Sequence, residues 1–280
     1  MKASDPHAPL YVLGHSEREF RRLQTQGVIY RDATLELLRA AGVDRGMRVL
    51  DIGCGVGDVA MLAAELVGSD GLVIAVDHSE AAIETARVRA TERGLAQVDF
   101  RVAALESLQL DRTVDALTGR FILMHQADPA GVLGEVARHV RAGGVVAILE
   151  SHIELSVAGT HSHPHSPVFD KLMAWEIEVI RGAGAHTDMG LRLHEVFLAA
   201  GLPEPSLRLR AFVDGGPESI LYEYTAESVR SMLPLARQFG VTSLSDEDLD
   251  RLQVELRAEV TASGGVIVSP LVVAAWTRLP

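Results

Sequence analysis

From Arg48 onward the chain alternates short apolar, β-rich runs with amphipathic helical stretches, and no other feature restricts its fold as strongly. Arg48–Ile52, 72–76, Val98–Val102, 114–118 and 145–149 read as strands. Asp58–Val67, 79–93 and 129–141 read as helices, the last with Pro129 in its first turn. The strands are almost continuously apolar, which is the pattern of a parallel sheet covered by helices on both faces. The expected fold class is α/β. Upstream, 11–41 reads as helical, with Gly42 as a C-cap. After Ile153 the alternation breaks: 159–167 (GTHSHPHSP) is a loop, 168–180 and 191–200 are helices, and 206–213 is a strand. The stretch 217–262 reads as two or more helices before an apolar strand over 271–278.

The first strand ends in Arg48-Val-Leu-Asp-Ile-Gly-Cys-Gly-Val-Gly-Asp58, a glycine-rich turn set between a buried strand and a helix. Gly53, Gly55 and Gly57 allow close approach of a ligand to the backbone, because no Cβ stands in the way. The next strand ends in Asp77, about 20 residues further on, where a carboxylate can accept from a ribose diol. A nucleoside-type cofactor follows from this arrangement.

DIGCGVGD followed by AVDHS resembles the class I S-adenosylmethionine-dependent methyltransferases, in particular the small-molecule branch of the ubiquinone/menaquinone-biosynthesis type. The resemblance covers about residues 11–153 and includes Gly119-Arg-Phe-Ile-Leu-Met-His-Gln126 and Val140-Arg-Ala-Gly-Gly-Val-Val146. It implies a Rossmann-like sheet with helices on both faces, an N-terminal helical arm and a helical lid insertion. It also implies S-adenosylmethionine as cofactor, with S-adenosylhomocysteine as product. On this reading 1–280 is a single domain: arm 1–45, cofactor-binding core 46–153, lid or substrate insertions 154–187 and 215–269, and sheet completion 188–214 and 270–280.

Carried over residue by residue, the resemblance gives Gly53, Gly55 and Gly57 the close approach to the cofactor's amino-acid part and ribose. Asp51 would bind the methionine ammonium directly or through water, Asp77 the ribose hydroxyls, and His78 would pack on the adenine. Arg120 would flank the sulfonium side, and Tyr11 of the arm would close over the methionine end. Ala104 stands where the family carries an Asp that accepts from the adenine amine. Ala104 and Leu105 would then line the adenine through backbone contacts, leaving a backbone carbonyl, Glu106 or water to meet the amine.

Methyl transfer is an in-line displacement that depends on proximity and exclusion of water, with a base needed only for a protonated nucleophile. His125, just after the fourth strand in LMHQ, is the candidate base; its ordinary pKa lies near working pH, and the alternative is a positioning histidine. Glu150 and His152 follow the fifth strand at the sheet edge where ligands bind, and are candidate acceptor contacts. His161, His163 and His165 lie in the proline-interrupted loop; no metal site is assigned. Phe169, Met173, Trp175, Phe197, Phe212, Tyr222 and Tyr224 either line the acceptor pocket or belong to the core.

Other chemistries are disfavoured. Net charge is -12, from 26 basic and 38 acidic residues, which repels nucleic acid on average. The Asn/Asp-Pro-Pro-Tyr motif of amine-methylating enzymes is replaced by GRFI. Cys54, the single cysteine, sits inside the glycine turn and is no nucleophile for cytosine methylation; alone, it forms no internal disulfide. With no apolar run long enough to cross a bilayer and no secretory leader, a cytoplasmic enzyme is expected. Its partner would be a small-molecule substrate, with no nucleic acid and no membrane; oligomeric state is left open. The alternative is a methyltransferase-like protein that binds the cofactor but catalyses another reaction or serves as an accessory subunit.

Overall fold

The computed structural model describes residues 17–154, 161–241 and 246–280. Tyr11 therefore lies outside the described residues. Two helices, α1 (Glu17–Ile29) and α2 (Arg31–Ala41), precede the sheet, and α2 ends at Gly42 in the left-handed conformation expected of a C-cap. The alternating segment then folds as β1 (Arg48–Ile52), α3 (Asp58–Val67), β2 (Leu72–Asp77), α4 (Glu80–Glu92), β3 (Val98–Val102), β4 (Val114–Arg120), α5 (Pro129–Ala137) and β5 (Val140–His152). The chain continues through β6 (Ser162–His163), α6 (Pro167–Gly182), α7 (Met189–Ala199), β7 (Ser206–Arg210) and β8 (Val213–Gly215). It closes with α8 (Ile220–Gln238), α9 (Asp246–Ala262), β9 (Val266–Val268) and β10 (Leu271–Arg278).

Seven strands form one sheet in the order β3-β2-β1-β4-β5-β10-β7. β3 through β5 run parallel, and β10 is antiparallel to both of its neighbours. The α/β expectation holds. Val49, Leu50 and Ile52 on β1 and Val73 to Val76 on β2 are fully buried, which requires cover on both faces. α2 and α7 both pack on β5 and β10, and α3 and α4 pack on β1 to β3. The carboxyl ends of β1, β2 and β4 thus open at one edge, where strand order reverses between β1 and β4.

Two local differences from the sequence reading have physical causes. The helix expected over 129–141 stops at Ala137, because Val140 pairs with Val114 and the Val114 N–H donates to His139 O at 2.8 Å. Strand pairing beats helix propensity there, and a register shift follows between Val114 and Ala116. The second difference is a small antiparallel sheet, β6-β9-β8, which was not expected. Among the described residues no helix is long and apolar enough to cross a membrane.

Candidate functional site

A cavity of about 690 Å³ opens at the carboxyl edge of the sheet and extends beneath α1, α6 and α8. Its first end is set by the glycine turn. Gly53, Gly55 and Gly57 all have positive φ (62, 51 and 89°), a region costly for any residue with a Cβ. Their surroundings differ. A Cβ at Gly53 would come within 2.5 Å of Ile122 Cδ1, and one at Gly57 within 3.1 Å of both Phe100 and Ala86. A Cβ at Gly55 would meet only Leu23, at 3.7 Å. Close approach to a cavity ligand is thus the property of Gly55. Gly53 serves packing as well as the cavity wall, and Gly57, expected at the ligand, lies off the wall and begins α3 instead.

Asp77 holds this turn. Its Oδ2 accepts from the Gly55 N–H at 2.9 Å and its Oδ1 from the Ser79 N–H at 2.9 Å, so one carboxylate ties two loops together beside the cavity. His78 lies next to it, its ring mostly exposed and Nδ1 3.5 Å from Asp77 Oδ1. Ala103, Ala104, Leu105 and Glu106 line the same end. Asp51 is fully buried beneath the turn and is not part of the cavity wall. Burial pushes its carboxyl up to about 8, against the pull of Arg120 and the Ala60 N–H.

The segment after β4 forms the cavity floor. Arg120 reaches Thr34 Oγ1 at 3.2 Å; burial lowers its pKa, while Asp58 and Asp51 oppose the shift. Phe121 has φ 55°, unusual for a bulky residue, and its ring meets Tyr30 edge-on at 5.1 Å. Glu150 explains how the strained turn is held: its Oε1 accepts from the Ile122 N–H at 2.9 Å and the Leu123 N–H at 2.6 Å. Burial pushes this carboxyl up to about 8. The expectation that Glu150 and His152 touch an acceptor is therefore corrected. Both are buried away from the cavity wall, and His152 Nδ1 instead lies 3.1 Å from Asp188 O, fastening α7 to β5.

His125 does line the cavity. The premise that its pKa lies near working pH is not met, since burial, aided by Arg22 and His186, lowers it to about 4. Of the loop histidines, His161 is buried with Nδ1 3.3 Å from Val268 O, and His165 pairs with Asp170 at 2.6 Å. No metal-binding cluster occurs among the described residues. Of the aromatic candidates only Tyr224 reaches the cavity wall; Phe169, Met173, Trp175, Phe197 and Tyr222 are buried core residues, and Phe212 packs against that core.

Sequence reasoning missed the second end. α1 contributes Phe20, Arg22, Leu23 and Gln26, with Tyr30 following, at the spacing of one helix face. Arg22 forms a buried, two-pronged pair with Glu19 (2.8 and 2.7 Å) and lies over the Tyr224 ring at 5.8 Å. Gln26 donates to the Tyr224 hydroxyl at 3.0 Å. From α6 comes Glu176. The helical period of α1 was visible in the sequence, but nothing marked which of its faces turned inward or that α6 and α8 would meet it.

A parallel sheet with one antiparallel strand inserted near its edge, helices on both faces and a glycine turn after β1 define the class I methyltransferase fold. Residues 43–179, just under half of the chain, match the family described as a methyltransferase domain. It is 40% identical over 103 residues to aklanonic acid methyltransferase DauC of Streptomyces sp. (strain C5), covering 36% of this chain and 47% of that protein. It is 30% identical over 161 residues to the ubiquinone biosynthesis O-methyltransferase of Xylella fastidiosa (strain 9a5c), covering 51% and 62%. The chain thus spans about half the length of the curated relatives it matches. The structure of YcgJ from Bacillus subtilis superposes over 89% of this chain and 100% of its own, with a TM-score of 0.55 at 19% identity. The [4+2]-cyclase SpnF also superposes, over 89% and 80%, with a TM-score of 0.51 at 19% identity. The shared fold alone therefore does not fix the reaction.

Proposed function

We propose that this chain transfers a methyl group from S-adenosylmethionine to a nucleophilic atom of a small metabolite. The observation that carries the reading is one continuous cavity that joins the Gly55–Asp77 end to an end walled by α1, α6 and α8. Such a cavity suits a cofactor and a small acceptor side by side better than a polymer. The relatives named for aklanonic acid and for ubiquinone biosynthesis agree with that choice.

The residues present fit the cofactor. The open face at Gly55 admits its amino-acid part and ribose, and Asp77, fixed by two N–H groups, retains lone pairs for the ribose hydroxyls. Ala104 and Leu105 offer the adenine backbone and apolar contact, with Glu106 beside them and His78 at the rim. Arg120, on the wall, would flank the sulfonium side, and Asp51, buried beneath the turn and off the wall, would meet the ammonium through water. The bound cofactor supplies an electrophilic methyl group. The chain's part is to orient the acceptor and exclude water from the α1 side. His125 stays neutral at working pH and accepts a hydrogen bond rather than a full proton.

Isothermal titration with S-adenosylmethionine and S-adenosylhomocysteine tests the reading, with micromolar binding expected. No binding of either defeats it. Binding without any gain of one CH₂ unit among metabolites supplied to the loaded protein favours the alternative, a cofactor-binding protein with another reaction.

A further inference from the structure

Among the carboxylates in and behind the cavity wall, three are held by donors of the chain itself, while Asp51, with both oxygens unpartnered, lies beneath the glycine turn and off the wall. Asp77 accepts from two backbone N–H groups, Glu150 from two more, and Glu19 from both prongs of Arg22. Glu176 differs. It lies on α6, one turn before Ile180, and these two residues present the helix's cavity-facing side while Trp175, Ile177 and Val179 pack into the core. Among the described residues no donor hydrogen-bonds to it and no cation pairs with it directly.

Glu176 is half-buried and opens on the cavity; an acceptor drawn partly out of bulk water with no protein donor is one that a ligand can complete. The groups facing Glu176 from the neighbouring elements are Arg22 of α1, Tyr30 and Tyr224 of α8. Arg22 is committed to Glu19, and Tyr224 already accepts from Gln26. The Tyr224 hydroxyl lies in the same wall, beside Ser228. A ligand hydroxyl at this place would donate to Glu176 and could accept from Tyr224. An ammonium there would share the cavity with both Arg22 and Arg120.

Resting on the methyl-transfer reading, we propose that Glu176 binds the acceptor's hydroxyl and takes up its proton, so that the chain methylates oxygen. As the acceptor oxygen gains the methyl group, its proton passes to a Glu176 carboxylate oxygen, and the electron pair of the breaking C–S bond stays on sulfur. Burial holds the carboxyl at about 7, with Arg22 opposing the shift, which suits uptake of a proton at neutral pH.

Phenol, anisole and aniline serve as probes of the full-length protein saturated with S-adenosylhomocysteine, with affinities read by ligand-observed NMR. At about pH 8, phenol should bind the wild type about tenfold more tightly than anisole or aniline, and this preference should fall as Glu176 protonates toward about pH 6. In E176L the preference should shrink below about twofold, with E176Q intermediate. Unchanged melting temperature and S-adenosylhomocysteine affinity would show that both variants fold. A preference absent from the wild type, surviving in E176L or extending equally to aniline overturns the assignment. Loss of S-adenosylhomocysteine binding by the wild type would instead strike the methyl-transfer reading, a separate result.

Discussion

At the end of the cavity formed by β1, β2 and β3, both oxygens of Asp77 are engaged by backbone N–H groups, one from the glycine turn after β1 and one from the loop after β2. At the end formed by α1, α6 and α8, Glu176 faces the space with neither oxygen engaged, and its neighbours Arg22, Gln26 and Tyr224 come from helices far apart in sequence. The first end is a rigid backbone cradle. The second is an assembly of side chains whose polar needs are met only in part by the protein. On the proposed function, such a division would let the cofactor cradle be kept while acceptor choice changes through helices that the cradle does not constrain.

The comparison is broken most directly at Asp77. D77A loosens the turn and removes the carboxylate offered to the ribose hydroxyls, two charge-assisted hydrogen bonds of ~2 kcal/mol each, and should weaken S-adenosylhomocysteine binding about a thousandfold by titration calorimetry. An affinity within tenfold of wild type would mean that the turn holds itself. Next is Glu150, which supports the floor shared by both ends. E150A strands the Ile122 and Leu123 N–H groups and should lower unfolding free energy by ~3 kcal/mol in urea, whereas E150Q, which keeps a carbonyl acceptor, should lose ~1 kcal/mol. Equal losses would deny the hydrogen-bonding role.

The glycines sharpen the cradle's own description. G53A collides with Ile122 and should cost ~3 kcal/mol of stability, while G55A should cost ~1 kcal/mol from its left-handed backbone alone. G55A should nonetheless weaken S-adenosylhomocysteine by about tenfold, because its methyl projects into the cavity. A pH dependence is expected as well. Asp51, Glu150 and Glu176 titrate at about 8, 8 and 7 in the folded chain, above their ordinary range, so the folded state holds protons that the unfolded state releases. Stability therefore falls as pH rises through that window. His125, lowered to about 4, acts in the opposite sense only below about pH 6.5. Thermal melts should thus decline by several degrees between about pH 6.5 and 8.5, and E176Q should decline less steeply.

The cradle was legible in the sequence because its parts are local: DIGCGVGD and AVDHS carry their turn, cap and carboxylate within short distances along the chain. The sheet was legible for the same reason, through apolar runs of the right length. The acceptor end was not. Glu176 sits in MAWEIEV, where one glutamate looks like its neighbour Glu178, and only tertiary packing places the first against the cavity and leaves the second on the exposed face. Glu150 and His152 were placed correctly at the sheet edge but misread in direction, since strand position does not reveal whether a side chain supports a loop or meets a ligand. β6, β8 and β9 are too short to carry a period.

Cys54 has a further consequence. Its thiol lines the cavity yet is buried, and that burial pushes its pKa well above the ordinary value, so at neutral pH it remains protonated and slow to react. As the chain's single cysteine, it makes the protein its own reporter. The rate at which a thiol reagent labels it counts the openings of the glycine turn, and a ligand seated against Gly55 would register as a slowing of that clock.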